Sequence, residues 1–180
     1  MQTAEGHPPV ADAECEERAG GTLVLGMGNT LVSDDGAGIV IARRVKNCYR
    51  CNTTGYHVDI IETCESGPAL MLLLNGYDAA VIIDSIKTAG GVPGDIHILD
   101  LDSMSETRNT VSPHSMNLFT AVELGRRLGL KMPVRLHIVA VEAEDTVTVR
   151  EQLTDAVEKA MPEAVKAVLK LIDKQNPDRK

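Results

Sequence analysis

Three segments of this 180-residue chain end an apolar, strand-like run with a side chain that can bind a divalent cation. Asp35 follows the run at 22–29, Asp84 follows the run at 79–83, and His114 follows a short segment that ends in Ser-Pro. Carboxylate oxygen and imidazole nitrogen are natural ligands of hard-to-borderline divalent cations. In an open α/β sheet, ligands bind outside the carboxyl ends of the strands. The sequence therefore predicts a site of two carboxylates and one histidine at such an edge.

The first segment carries two adjacent acids, Asp34 and Asp35, just before a predicted helix. A carboxylate at a helix N-terminus caps N–H groups and is stabilised by the helix dipole, typically by ~0.3–1 kcal/mol. One acid is enough for this role, so the other is left to point across the sheet edge. Asp35 is the candidate for the outward group, because Gly36 and Gly38 after it permit close approach of the chain.

Asp84 and His114 each have a structural alternative. Asp84 ends the most apolar strand of the chain, where an unpaired carboxylate is costly, although a hydrogen-bonded turn beside Ser85 would also satisfy it. A single histidine is commonly structural, but His114 stands at a loop-to-helix junction, which favours a functional role. The histidines in or beside predicted strands are expected to be ordinary side chains: His57, His97 and His137.

The first predicted strand runs into Gly26-Met27-Gly28-Asn29, which invites a dinucleotide-binding interpretation. That fingerprint needs a third Gly or Ala three residues after the second glycine, and Leu31 stands there instead. The two acids that follow would also repel a pyrophosphate. A nucleotide- or small-molecule-binding α/β domain stays open as an alternative, and it predicts thermal stabilisation by nucleotide.

Strand-like and helix-like patterns alternate along the chain. Helical spacing predicts helices between and after the predicted buried strands, which lie near 23–25, 58–61, 79–83 and 134–141. This alternation predicts a three-layer α/β/α sandwich with a mostly parallel twisted sheet. The segment 95–101 follows a short Gly-Pro turn and is expected to be an antiparallel edge strand. Pro162 interrupts the last helical stripe, so we expect a kink or two abutting helices there.

Composition bounds the class of protein. We expect one domain at 21–173, a disordered acidic tail at 1–20 and a frayed polar tail at 174–180. The net charge of −8 argues against a nucleic-acid partner. No apolar run approaches the roughly 20 residues that span a bilayer, and the first tail lacks the apolar block of a signal peptide, so a cytoplasmic protein is expected. Cys48 and Cys51 have no second close pair, and we expect structural or incidental thiols.

Three segments, taken together, resemble a known family. They are the glycine- and acid-rich segment at 26–38, the pair Ile83-Asp84, and the Ser-Pro-His segment at 112–114. In type, order and separation they are similar to the hydrogenase maturation proteases. These endopeptidases trim the C-terminal extension from the large-subunit precursor of nickel–iron hydrogenases. The similarity covers the region 22–172, which is nearly all of the chain.

The resemblance implies a single α/β/α domain whose site recognises nickel already inserted in the precursor. The family's three ligands fall on Asp35, Asp84 and His114. Many members have Glu at the first of these positions, and Asp35 is a shorter variant. The implied partner is a hydrogenase large-subunit precursor, with no nucleic acid or membrane involved, and the small surface needed to bind it fits a monomer.

The resemblance further suggests that nickel coordination by these three residues docks the C-terminal segment of the precursor beside the site. Cleavage then needs an activated water. A metal-polarised water can supply it, or Asp35 or Asp84 can act as general base in an aspartic-type endopeptidase. A non-catalytic nickel chaperone would share the same ligands and stays open as a second alternative. The isolated enzyme is expected to be largely metal-free and inert towards generic peptides.

Overall fold

Strands and helices alternate through the computed structural model, which describes residues 20–49, 57–100 and 113–175, with side chains from residue 118 onward in the last range. The strands are β1 (Thr22–Met27), β2 (Val58–Thr63), β3 (Ala79–Ile86), β4 (Ile96–Asp100) and β5 (Arg135–Glu142). The helices are α1 (Ala37–Tyr49), α2 (Pro68–Leu74), α3 (Pro113–Arg127) and α4 (Asp155–Gln175), and a 3₁₀ turn, Ser33–Gly36, precedes α1. Cys51 and nearly all of both predicted tails lie outside the described residues.

The strands form one sheet in the order β2-β1-β3-β5-β4. β1 pairs in parallel with β2 and β3, and β3 pairs in parallel with β5. β4 runs antiparallel to β5 at the edge of the sheet. This arrangement confirms the predicted mostly parallel sheet with one antiparallel edge strand. The central strand β3 is buried along its whole length, as its continuous apolar run predicts.

Helices cover both faces of the sheet. Side chains of α2 and α3 share one core with alternate residues of the strands, among them Ala80 and Ile82 of β3. Side chains of α1 and α4 share the other core, together with Val81 and Ile83. The alternation along β3 follows from the two-residue period of a strand. The three layers are therefore α/β/α, as predicted.

Two elements differ from the sequence-based expectation. The strand predicted to end at residue 83 continues to Ile86, because Ser85 and Ile86 still pair with β5, at Val141 and Glu142. The last helix is one continuous helix that passes through Pro162 and reaches Gln175, two residues beyond the predicted end of the domain. Packing of its apolar stripe against the sheet outweighs the missing N–H of the proline. Throughout the described ranges, every helix is too short or too polar to cross a membrane.

Candidate active site

Asp35 lies in the 3₁₀ turn between β1 and α1, at the carboxyl edge of the sheet. Asn29, which follows the end of β1, organises this turn: its Oδ1 accepts from the Leu31 N–H at 3.0 Å. The Asn29 N–H donates to Asp35 Oδ2 at 2.9 Å. Asp35 is half-buried. A hydrogen bond to one carboxylate oxygen thus fixes the Asp35 side chain, which stays partly exposed to solvent.

Asp34 is fully buried and serves a different segment of the chain. Its Oδ2 accepts from the N–H groups of Glu144 and Asp145, at 2.9 and 3.0 Å. Its Oδ1 accepts from the Thr154 N–H at 2.7 Å, and the Thr154 hydroxyl donates to Oδ2 at 3.0 Å. One of the two acids was predicted to cap the N-terminus of its own helix, and this prediction is wrong, because the turn before α1 has no side-chain cap. The carboxylate instead anchors the β5–α4 loop. It is buried against that loop, where the backbone N–H groups of Glu144, Asp145 and Thr154 donate to it.

Glycines bring the start of α1 directly onto the strand ends. A Cβ at Gly38 would lie 2.3 Å from the Met27 carbonyl oxygen and 2.4 Å from that of Ile83, so only glycine fits between helix and sheet. Ile83 immediately precedes Asp84, and Asp35 stands one turn before Gly38. This contact therefore places the Asp35 turn over the carboxyl ends of β1 and β3.

The glycine at 28 has a similar structural reason. Its φ of +130° suits glycine, and a Cβ there would lie 1.8 Å from the Asp35 carbonyl oxygen. In a dinucleotide-binding loop, glycine lets the backbone approach the pyrophosphate. Here the chain's own backbone occupies that space, which does not favour the nucleotide alternative.

Asp84 lies within β3, with 3% of its surface exposed. It lies on the same face of β3 as Ile82 and Ile86, so its side chain faces the layer of α2 and α3. Its Oδ1 accepts from the N–H of Ser85 at 2.9 Å. The hydrogen bond with Ser85 that the structural alternative required is therefore present. This hydrogen bond engages Oδ1 of the Asp84 carboxylate.

His114 is the second residue of α3. Because α3 leads into the parallel strand β5, the helix begins at the edge where β5 ends, which is also the edge of Asp35 and Asp84. The His114 side chain lies outside the described part of the structure. Among the side chains that are described, no three His, Cys, Asp or Glu residues cluster as a metal site. Two carboxylates and an imidazole would together be a donor set that suits nickel.

Glu142 is a buried acid at this edge that the sequence analysis did not select. It is the last residue of β5 and is 1% exposed. Its carboxylate accepts from Thr88, through the N–H at 2.6 Å and the hydroxyl at 3.0 Å. His97 Nε2 lies 3.6 Å from Glu142 Oε2, and the ordinary structural role expected of this histidine stays a prediction. The rule that selected Asp84, a polar residue that ends an apolar strand, would have found Glu142 as well.

Hydrogen bonds connect the three loops around the candidate site. Asp34 joins the β1–α1 loop to the β5–α4 loop. Lys87 Nζ donates to the Glu144 carbonyl oxygen at 2.8 Å and joins the β3–β4 loop to the β5–α4 loop. Glu142 binds the β3–β4 loop to the end of β5. We call these bonds of Asp34, Lys87 and Glu142 the loop frame.

The β5–α4 loop has a pH-sensitive element in Asp145. The hydroxyl of Thr148 and the N–H groups of Val147 and Thr148 lower the pKa of this carboxyl from 3.8 to about 2. Because the folded-state pKa lies below the unfolded value, the carboxylate stabilises the fold above about pH 4, and this contribution is lost as the pH falls towards 2. Asp145→Asn should therefore lower the thermal unfolding midpoint at pH 7 and have little effect near pH 2, followed by circular dichroism. An effect of equal size at both pH values would contradict this assignment.

Comparison with known proteins indicates one family. A family model described as hydrogenase maturation protease (HycI) matches residues 40–171. The hydrogenase 2 maturation protease of Escherichia coli K12 is 30% identical over 151 residues, which cover 82% of this chain and 87% of that protein.

Solved structures with the same fold carry related descriptions. The hydrogenase maturating endopeptidase HybD from E. coli has a TM-score of 0.73 and 26% identity, over 87% of this chain and 94% of its own. The nickel–iron hydrogenase maturation protease HybD from Thermococcus kodakarensis has a TM-score of 0.64 and 25% identity, over 84% of this chain and 99% of its own.

Proposed function

The chain belongs to the hydrogenase maturation protease family and is a peptidase, and from this premise we propose that its substrate is the large-subunit precursor of a nickel–iron hydrogenase. The proposed reaction removes the C-terminal extension of the precursor. Nickel is part of the substrate in this proposal, already inserted before cleavage. The residues proposed to recognise it are Asp35, Asp84 and His114.

One observation carries the proposal. Asp35, in the turn that follows β1, and Asp84, near the end of the neighbouring strand β3, both belong to the carboxyl edge of the sheet, and the first turn of α3 with His114 begins at the same edge. Placing like charges close together costs free energy, and a divalent cation between them removes this cost. Asp34 does not compete for this role, because its buried carboxylate already accepts four hydrogen bonds. The site is thus suited to a cation that arrives with its substrate.

The proposed mechanism separates docking from cleavage. Nickel carried by the precursor supplies a fixed point of attachment, which orients the C-terminal segment beside the site and lowers the entropic part of the barrier. Asp35 is the half-buried acid of the pair, and its Oδ2 is already oriented by Asn29. This leaves its carboxylate able to take a proton from a water that attacks the scissile peptide bond. Asp84, buried next to it, holds negative charge in place opposite the cation.

The test is to incubate the purified protein with a nickel-loaded large-subunit precursor and with the nickel-free precursor. The C-terminus of each precursor is followed by intact mass. We expect loss of a C-terminal peptide from the nickel-loaded form alone. Cleavage of both forms would retain the peptidase and reject nickel recognition.

The two other functions predict different results in the same experiment. A nickel chaperone would bind nickel through the three residues and leave both precursors intact. A nucleotide-binding domain would show a nucleotide-dependent rise in its unfolding midpoint and no cleavage. Hydrolysis of casein by the purified metal-free protein would contradict the proposed dependence on a specific precursor.

A further inference from the structure

We propose that Glu142 is a positioning residue of this active site, which acts through the β3–β4 loop, residues 87–95. The inference rests on the proposed function, because it concerns the same site. Its starting point is strand register. Asp84 pairs with Ala140, and Glu142 lies two residues further along the same face of β5. The two acids therefore face the same layer from adjacent strands, with Glu142 nearer the edge of the sheet.

The buried carboxylate of Glu142 is fully used in hydrogen bonds to the β3–β4 loop. A carboxylate with 1% exposure is costly unless hydrogen bonds satisfy it. Both oxygens of Glu142 are engaged by Thr88, two residues beyond the end of β3. Its backbone is engaged as well: its N–H donates to the Asp95 carbonyl oxygen and its own carbonyl oxygen accepts from Gly94, each at 2.8 Å. One residue thus holds both ends of the β3–β4 loop.

The middle of the loop also rests on this carboxylate. A Cβ at Gly91 would lie 2.2 Å from Glu142 Cδ and 2.3 Å from its Oε1, so the loop backbone lies directly over the carboxyl group. Gly91 does not have a positive φ, so close contact with Glu142 and with the Thr88 hydroxyl, 2.5 Å from such a Cβ, explains the glycine. On the other side of Glu142 is His97, whose Nε2 is buried and has no hydrogen-bond partner in the described part of the chain. The loop, β4 and β5 therefore meet at Glu142.

The loop held in this way borders the candidate site. It leaves β3 three residues after Asp84, and Lys87 at its start is bound to the β5–α4 loop. Val92 at its centre is 60% exposed, so the outer surface of the loop is open to a peptide. By this inference, a precursor segment bound near Asp84 lies against this loop. Glu142 contacts the loop and not the reacting groups, so it affects the reaction by fixing the position of the loop against which the substrate lies.

The experiment compares two substitutions of Glu142 with a matched control, using the full chain and the nickel-loaded precursor. Glu142→Ala removes every side-chain hydrogen bond to Thr88, and we expect KM to rise about tenfold while kcat changes by less than about threefold. Glu142→Gln keeps an oxygen for the Thr88 N–H and an amide for its hydroxyl, and should restore most of the affinity. Glu163→Ala, on an exposed position of α4, should match the wild type. A loss of kcat of equal size in Glu142→Ala and Glu142→Gln would overturn the positioning role in favour of a chemical one.

Gly91→Ala is the second variant, because it displaces the loop and leaves the buried acid intact. It should raise KM as Glu142→Ala does, and hydrogen exchange of residues 87–95 should increase in both. Unchanged KM in both variants, with an active wild type, would overturn this inference alone. A wild type that binds and cleaves no precursor would overturn the inference and the proposed function together.

Discussion

Substitution of Asp84 by Asn should abolish processing of the nickel-loaded precursor and leave the fold intact. The amide keeps the shape of the side chain and the Oδ1 acceptor that Ser85 uses, while it removes the negative charge. Loss of a charged group that stabilises the transition state or a bound cation lowers the rate by about 10²–10⁴-fold. The measurement is the rate of appearance of processed large subunit by intact mass, together with the thermal unfolding midpoint of the variant.

Asp173→Asn is the matched control for this prediction. Asp173 is an exposed acid in the last turn of α4, at the opposite end of that helix from the candidate site, so the same change of charge is made away from the site. We expect the control to process the precursor at the wild-type rate. Normal processing by a folded Asp84→Asn protein would remove Asp84 from the mechanism. Nickel binding by the two variants, measured by calorimetry, then separates a role in docking from a role in cleavage.

Substitution of Asp34 by Ala should produce the largest loss of stability among the acids of this edge. The change leaves the N–H groups of Glu144, Asp145 and Thr154 without the acceptor that they share. Unsatisfied donors cost about 1–3 kcal/mol each when buried, and these are partly buried, so we expect a total of about 3 kcal/mol. For a protein of this size the unfolding midpoint falls by roughly 10 °C.

Asp34→Asn supplies the comparison, because it retains one acceptor oxygen and should lose less stability than Asp34→Ala. Chemical denaturation gives the free energy of unfolding of each variant. Asp35→Ala, in the neighbouring and more exposed acid, should change stability by less than about 1 kcal/mol, since one hydrogen bond from Asn29 is lost. Equal losses for the two aspartates would contradict the division into a structural and a functional acid.

The sequence predicted the layers and strand pairing because the period of its apolar residues records burial. β3 is the clearest case, since a strand covered by helices on both faces is a continuous apolar run, and this run predicts a buried central strand. The end of β3 could not be predicted in the same way. Asp84 and Ser85 are disfavoured in strands, yet pairing with β5 extends the strand past them. Pro162 shows the converse, because tertiary packing carries α4 through a residue that breaks isolated helices.

The candidate site was predictable where it depends on strand ends and not where it depends on contacts between loops. Asp35 and Asp84 were found because topology brings the carboxyl ends of β1 and β3 together. The partners of Asp34 lie more than 100 residues away in the chain, and no local pattern indicates such a contact. Glu142 ends an apolar strand as Asp84 does, so its position was predictable, but its hydrogen bonds to Thr88, 54 residues away in the chain, were not. The position of the His114 side chain stays a prediction.

When the peptidase binds its proposed precursor, the loop frame decides which of the two molecules must become more ordered. Loops that are already held by Asp34, Lys87 and Glu142 have little conformational freedom left to lose. The ordering cost of binding therefore falls on the C-terminal segment of the precursor. In the proposed reaction, the cut separates this peptide from the nickel-bearing precursor, so the peptide regains its freedom and loses the attachment that nickel provides. Such a peptidase should be only weakly inhibited by its peptide product, even at concentrations that would saturate it with intact precursor.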